Sequence, residues 1–236
     1  TIDFDAFEKA CKEKDNTIFI LCNPHNPTGR VFNIEELQRI GKICKDNNVL
    51  IISDEVHSDL IRKDVTFHPI MNVIDNEDLI VATAVNKTFN LAGLQMTNVI
   101  VKNNKYKEVL KKEHYMATPF GIASVLAAYN ESEDWVDELN EYLDESIDEV
   151  IDFINKHLPK CKVYRPEGTY ILWLDFSCYN LTNEQIRDKI YNKARVVAQG
   201  GTNYDEVKKE QFQRLCIANP KAQIIEALKR IAKEFN

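Results

Sequence analysis

No run of apolar residues in this sequence approaches the length of a bilayer span, so no membrane partner is expected. No signal-peptide pattern is visible. Basic clusters are missing as well. Thirty Lys and Arg stand against 37 Asp and Glu, for a net charge of −7, and the basic residues are scattered among Glu, as in Lys105-Tyr106-Lys107 and Lys111-Lys112. That balance argues against nucleic acid as the main partner. Six cysteines (Cys11, Cys22, Cys44, Cys161, Cys178, Cys216) show no C-x-x-C spacing, so neither a zinc site nor a disulfide framework is expected. They read as reduced thiols of a cytoplasmic protein. Internal repeats and low-complexity segments are absent. What remains is an ordinary globular composition, 44% hydrophobic in 236 residues, enough for one sizeable core or two domains.

Hydrophobic periodicity orders the chain. Residues 5–13 have helical spacing, and residues 17–22 read as a buried strand. The segment 23–29 carries two prolines and a glycine and must be a loop, with both Asn-Pro bonds candidates for cis geometry. Asn33 can cap a helix that has Glu35 and Glu36 in its first turn and Leu37, Ile40, Ile43 and Cys44 on one face. Residues 49–53 are a second apolar strand, and Leu79-Ile80-Val81 a third. Strand, helix, strand at this spacing is a βαβ unit, which implies a parallel sheet. Ligands bind such sheets outside the carboxyl ends of the strands. Residues 23–26, 53–57 and 84–87 therefore fall on one rim.

Further along, residues 98–101 read as a strand and 105–114 and 121–129 as helices. Residues 134–158 form one long helical pattern, with Trp135, Leu139, Leu143, Ile147, Ile151 and Ile154 on a single face. Strands at 161–164, 169–175, 194–198 and 212–217 are expected around helices at 184–193 and 223–235, with Gly200-Gly201 in a loop. Strands and helices without clear alternation suggest a smaller α+β domain. Arg165, just before Pro166, reads as a loop residue.

Three segments on the rim carry a resemblance. They are Asn23-Pro24-His25-Asn26-Pro27-Thr28-Gly29, Ser53-Asp54-Glu55-Val56-His57 and Asn86-Lys87-Thr88-Phe89-Asn90. In this order they resemble the N-P-x-N-P-T-G, D-E-x-[YH] and [ST]-K-[TS]-F-[NG] motifs of the fold-type I pyridoxal-phosphate (PLP) enzymes, the class I/II aminotransferase superfamily. The resemblance covers nearly all of the chain. It implies an α/β fold: residues 1–135 as part of the PLP-binding large domain, a mainly parallel sheet with helices on both faces, and residues 136–236 as a C-terminal α+β small domain. It begins well inside the large domain, so the N-terminal third of a complete enzyme is expected to be absent.

The resemblance also implies roles. Lys87 forms the Schiff base with pyridoxal 5'-phosphate and moves the Cα proton as general base. Asp54 keeps the cofactor's pyridine nitrogen protonated, while Asn26 donates its amide to the ring oxygen. His57, where many members have tyrosine, can bond that oxygen too. Arg214 clamps the α-carboxylate of an amino-acid substrate with its guanidinium fork. No metal is implied.

The family pattern is not matched throughout. Ala84 and Gln95 stand where many members have a serine and an arginine on the cofactor phosphate, and Thr83, Asn86 and Thr88 are the polar residues close by. The His57 substitution and the spellings C-N-P-H-N-P-T-G, K-T-F-N-L-A-G-L-Q and E-G-T-Y-I-L-W-L-D-F look closest to the cystathionine β-lyase-like carbon–sulfur lyases. An aminotransferase would share every residue named, and a non-catalytic fragment is a third alternative. The complete enzyme is expected to be a homodimer with sites at its interface.

Overall fold

A computed structural model describes residues 2–113, 116–204 and 211–236. The chain divides into two compact units, one of Thr1–Pro24 and Val31–Val136, the other of His25–Arg30 and Asp137–Asn236.

In the first unit, α1 (Phe4–Cys11) starts at Asp3, whose carboxylate accepts from the Ala6 amide at 3.0 Å. Strand β1 (Ile18–Cys22), helix α2 (Ile34–Asp46) and strand β2 (Leu50–Asp54) form the expected βαβ unit, with β1 and β2 parallel. Asn33 and Glu36 close a capping box at the start of α2. Leu37, Ile40 and Cys44 of α2 are fully buried in one cluster with Leu21, Ile51, Leu79 and Val81 of the sheet. A short helix α3 (Ile70–Val73) precedes β3 (Leu79–Thr83), which is parallel to β2. A single helical turn, α4 (Val85–Thr88), follows at once and carries Lys87. Strand β4 (Asn98–Val101) pairs antiparallel with β3, and the sheet order is β1-β2-β3-β4. Helices α5 (Asn104–Leu110) and α6 (Pro119–Glu131) follow, and α7 (Glu133–His157) carries the chain past Val136. The helix expected to end at 114 stops at Leu110, and His114 itself lies outside the described residues.

Strand β1 corrects one expectation. It is an edge strand, and only the face bearing Leu21 meets α2. Ile18 and Ile20, on the alternate face, are 55% and 67% exposed.

The second unit packs α7, α8 (Asn183–Arg187) and α9 (Lys221–Phe235) with an antiparallel sheet. Its strands are β5 (Lys162–Val163), β6 (Ile171–Asp175), β7 (Gln199–Gly200) and β8 (Phe212–Cys216), in the order β5-β6-β8-β7. Ile147, Val150 and Ile154 of α7 pack with Leu172, Leu174, Leu215, Leu228 and Ile231 in its core. The helix expected over 184–193 opens at Asp188 into a π-helical turn, Asp188–Lys193. Arg195 then takes a left-handed conformation (φ 53°), and the Val196 amide reaches back to the Ile190 carbonyl at 3.0 Å. That local turn replaces the strand expected at 194–198, and only Gln199 and Gly200 join the sheet. Arg165 lies in a loop, as expected. It donates to Asp148 and Asp144 of α7 at 2.8 Å each.

Candidate active site

The parallel register makes the strands of the first unit end level. Cys22 lies opposite Asp54, and Asp54 opposite Ala82. The residues that leave the sheet at this edge are those of the sequence motifs. Asn23 is fully buried. Its amide N–H donates to the Asp54 carbonyl, and its Oδ1 accepts from the Phe32 amide, both at 3.0 Å. Asn23 thereby ties the loop to the sheet through its backbone at one end and through its side chain at the other. The half-buried Asp54 carboxylate accepts from the Val56 amide at 3.3 Å. His57 is buried, 3% exposed, in the turn that follows. Lys87, on α4, is half-buried, and its amine has no hydrogen-bond or ion-pair partner among the described residues. Next to it, the buried Oδ1 of Asn86 has no partner either.

The departures at Ala84 and Gln95 have a structural counterpart. Ala84 is buried at the N-cap of α4, where no side chain bonds the open backbone amides. Gln95 is exposed and left-handed, φ 51°. Of the nearby hydroxyls, that of Thr88 donates to Asp59 at 2.9 Å, and that of Thr83 accepts from Asn98 at 3.4 Å.

Glu55 plays a part that the sequence does not disclose. Its buried carboxylate accepts from the Ser53 hydroxyl at 3.0 Å and the Ile70 amide at 3.1 Å, anchoring the turn after Asp54. Burial raises its pKa, and these two bonds offset only part of that shift. A carboxyl whose folded pKa exceeds its unfolded value binds more protons when folded. Its contribution is therefore present at low pH and is lost as pH rises through the folded value. Glu55→Gln retains an acceptor for both bonds without the buried charge. It is expected to raise Tm at pH 7 and to leave it unchanged below about pH 4, where the carboxyl is protonated in both states. Thermal melts across that range check this.

The second unit holds the other cluster. In the loop His25–Arg30, the Gly29 amide donates to the His25 carbonyl and the His25 amide to the Arg30 carbonyl, each at 2.7 Å. Both Asn-Pro bonds are cis. Gly29 has φ +70°, and its carbonyl accepts from the Glu167 and Gly168 amides at 2.8 Å. This seats Asn26 beside β8. Arg214 Nε donates to Asn26 Oδ1 at 3.0 Å, and Nη1 donates to Gln199 Oε1 at 2.8 Å. Asn26 Nδ2 and Arg214 Nη2 have no hydrogen-bond partner among the described residues. Tyr204 also donates to Gln199 Oε1, at 2.8 Å. Gln199 thus orients Arg214. No sequence signal marked it, because the two meet only through the β7–β8 register.

The carboxyl edge of a parallel sheet is where α/β folds place ligand sites, and here it carries an aspartate and a lysine with no partner among the described residues. The chain belongs to the class I and II aminotransferases, matching that family over residues 1–231. It is 34% identical to cystathionine β-lyase PatB of Bacillus subtilis, a match that covers 98% of this chain and 61% of PatB. It is 31% identical to aspartate aminotransferase of Pyrococcus horikoshii, over 97% of this chain and 59% of that enzyme. Its fold superposes on the PLP-bound C–S lyase of Staphylococcus hominis with a TM-score of 0.93 and 31% identity, over 99% of this chain and 61% of that one. The chain spans about three fifths of the length of these relatives. No helix among the described residues is long and apolar enough to cross a membrane.

Proposed function

We propose that the complete protein is a PLP-dependent carbon–sulfur β-lyase. It would cleave a cystathionine-like amino acid to a thiol, pyruvate and ammonia. The observation that carries this reading is the partnerless Lys87 amine on the sheet edge that also bears Asp54. Support for lyase chemistry comes from PatB and the Staphylococcus hominis enzyme, and support for the cofactor from the latter's PLP-bound state.

The residues present fit that cofactor. In the first unit, the Lys87 amine, with no partner among the described residues, and the Asp54 carboxylate at a strand end are groups it requires, and the α4 backbone amides and Asn86 are the candidates there for its phosphate. When bound, the cofactor supplies a carbonyl that condenses with amines and a ring that takes up electrons as bonds at Cα break. Lys87 would hold the cofactor and take the Cα proton from the substrate. The Asp54 carboxylate would pair with the ring nitrogen. Asn26 and His57 would offer donors to the ring oxygen. The Arg214 guanidinium would bind the substrate carboxylate. Residues 1–135 would serve as part of the cofactor-binding domain and 136–236 as the small domain of a cytoplasmic homodimer, a setting that suits six free cysteines.

An aminotransferase is the second reading, supported by the Pyrococcus horikoshii relative. There Lys87 would return the proton to the cofactor's carbon instead of letting a thiolate leave. Incubation with PLP and L-cystathionine separates the two. Pyruvate release without an added 2-oxo acid is the expected result. Amino transfer to 2-oxoglutarate with no pyruvate would overturn the lyase reading. Neither product would assign activity to the longer protein alone.

A further inference from the structure

A cavity of about 300 Å³ lies in the second unit, where α8 and the π-helical turn face the β7–β8 edge. Asn183, Arg187, Ile190, Ala198, Thr202 and Gln213 contribute to its lining. Gln213 precedes Arg214 on β8 and so points to the opposite face of the sheet from the Asn26–Arg214 cluster. It is 3% exposed, yet its Nε2 has no hydrogen-bond partner among the described residues. A buried amide donor left unpaired is unfavourable and calls for an acceptor.

Gly200 forms part of the wall. Its backbone (φ −65°, ψ 145°) is one that any residue adopts, and an added Cβ would meet nothing closer than 3.6 Å. Neither conformation nor crowding demands glycine here. The atoms that such a Cβ would face are Thr202 Oγ1 at 3.6 Å, Gln213 Nε2 at 3.8 Å and Asn183 Oδ1 at 3.9 Å. Three polar atoms from three segments therefore converge on a bare α-carbon. Among the described lining residues Arg187 alone is charged, and it has no ion-pair partner among the described residues. A guanidinium fork and an amide donor suit an oxyanion, carboxylate or phosphate, and the Ile190 and Ala198 side chains, which suit a short alkyl chain, select the carboxylate.

We propose that this cavity binds a small aliphatic monocarboxylate, at a site separate from Arg214. The proposal does not rest on the lyase reading. The test is ¹H–¹⁵N correlation spectroscopy of the chain titrated with sodium acetate or propionate, with sodium chloride and sodium phosphate as controls at matched ionic strength. A saturable shift of the Gln213 side-chain amide is expected with the carboxylates and not with the controls. Arg187→Ala should weaken the apparent affinity at least tenfold. Arg214→Ala, which removes a partner of the lining residue Gln199 but no lining residue, should weaken it far less than Arg187→Ala. Gly200→Ala, which fits sterically, should weaken binding while preserving the spectrum of the sheet. Gln213→Leu removes the orphaned amide; it should raise Tm and abolish the carboxylate-induced shifts of the Thr202 and Asn203 amides. A non-saturating shift, an equal response to chloride or phosphate, or unchanged affinity in Arg187→Ala would overturn the proposal.

Discussion

Asp54→Asn is expected to weaken PLP binding by about tenfold to a hundredfold, the equivalent of one hydrogen bond to a charged group. Asparagine keeps the size of the side chain, and its Oδ1 can still accept from the Val56 amide, which the carboxylate now holds at 3.3 Å. Only the negative charge disappears. A neutral amide cannot hold the ring nitrogen in its protonated form, so the cofactor loses both an ionic partner and its capacity to withdraw electrons. Equilibrium titration of wild type and variant, monitored by visible absorbance, measures the effect. Melting temperatures without cofactor should coincide. Equal affinities would remove Asp54 from the cofactor site.

Gly29→Ala should have the largest effect on stability. The backbone at Gly29 is left-handed, which costs an L-residue about 1–2 kcal/mol. The added Cβ would lie 2.3 Å from Pro166 Cβ and 3.1 Å from the Gly168 carbonyl oxygen. Relieving such overpacking costs a further 1–3 kcal/mol or so. The sum corresponds to a Tm lowered by roughly 5–15 °C. The loop must also shift, and the 3.0 Å bond between Arg214 and Asn26 depends on its seating. Differential scanning calorimetry gives the first number. The second effect would appear as a raised KM for the amino acid in the complete enzyme. An unchanged Tm would mean that the loop accommodates a methyl group, and that its close packing does not position Asn26.

The carboxyl edge of the first unit was legible because its signals are local. Apolar strands at 18–22, 50–54 and 79–83 alternate with a capped helix, and βαβ geometry then aligns their ends. Asn23, Asp54 and Ala84 follow from that alone. The roles of Asn26 and Arg214 came from the motif resemblance, and the structure brings those two residues together within the second unit. Other features depend on contacts distant in sequence. Gln199 reaches Arg214 only through strand register, and Arg165 meets Asp144 and Asp148 only when the loop folds back on α7. Strand propensity misled at 194–198, where Val196 and Val197 suit a strand but the left-handed Arg195 after a π-helical turn prevents one. Alternation misled in another way at β1. A run such as Ile18-Phe19-Ile20-Leu21 states that a strand forms, not which faces are covered.

The central claim is that the Lys87 amine is the group that takes the cofactor. The most direct measurement is borohydride reduction of the chain after incubation with PLP, followed by peptide mapping. A single stable adduct on Lys87 is expected, and none in Lys87→Ala. An adduct confined to other lysines, or its persistence in Lys87→Ala, would contradict it.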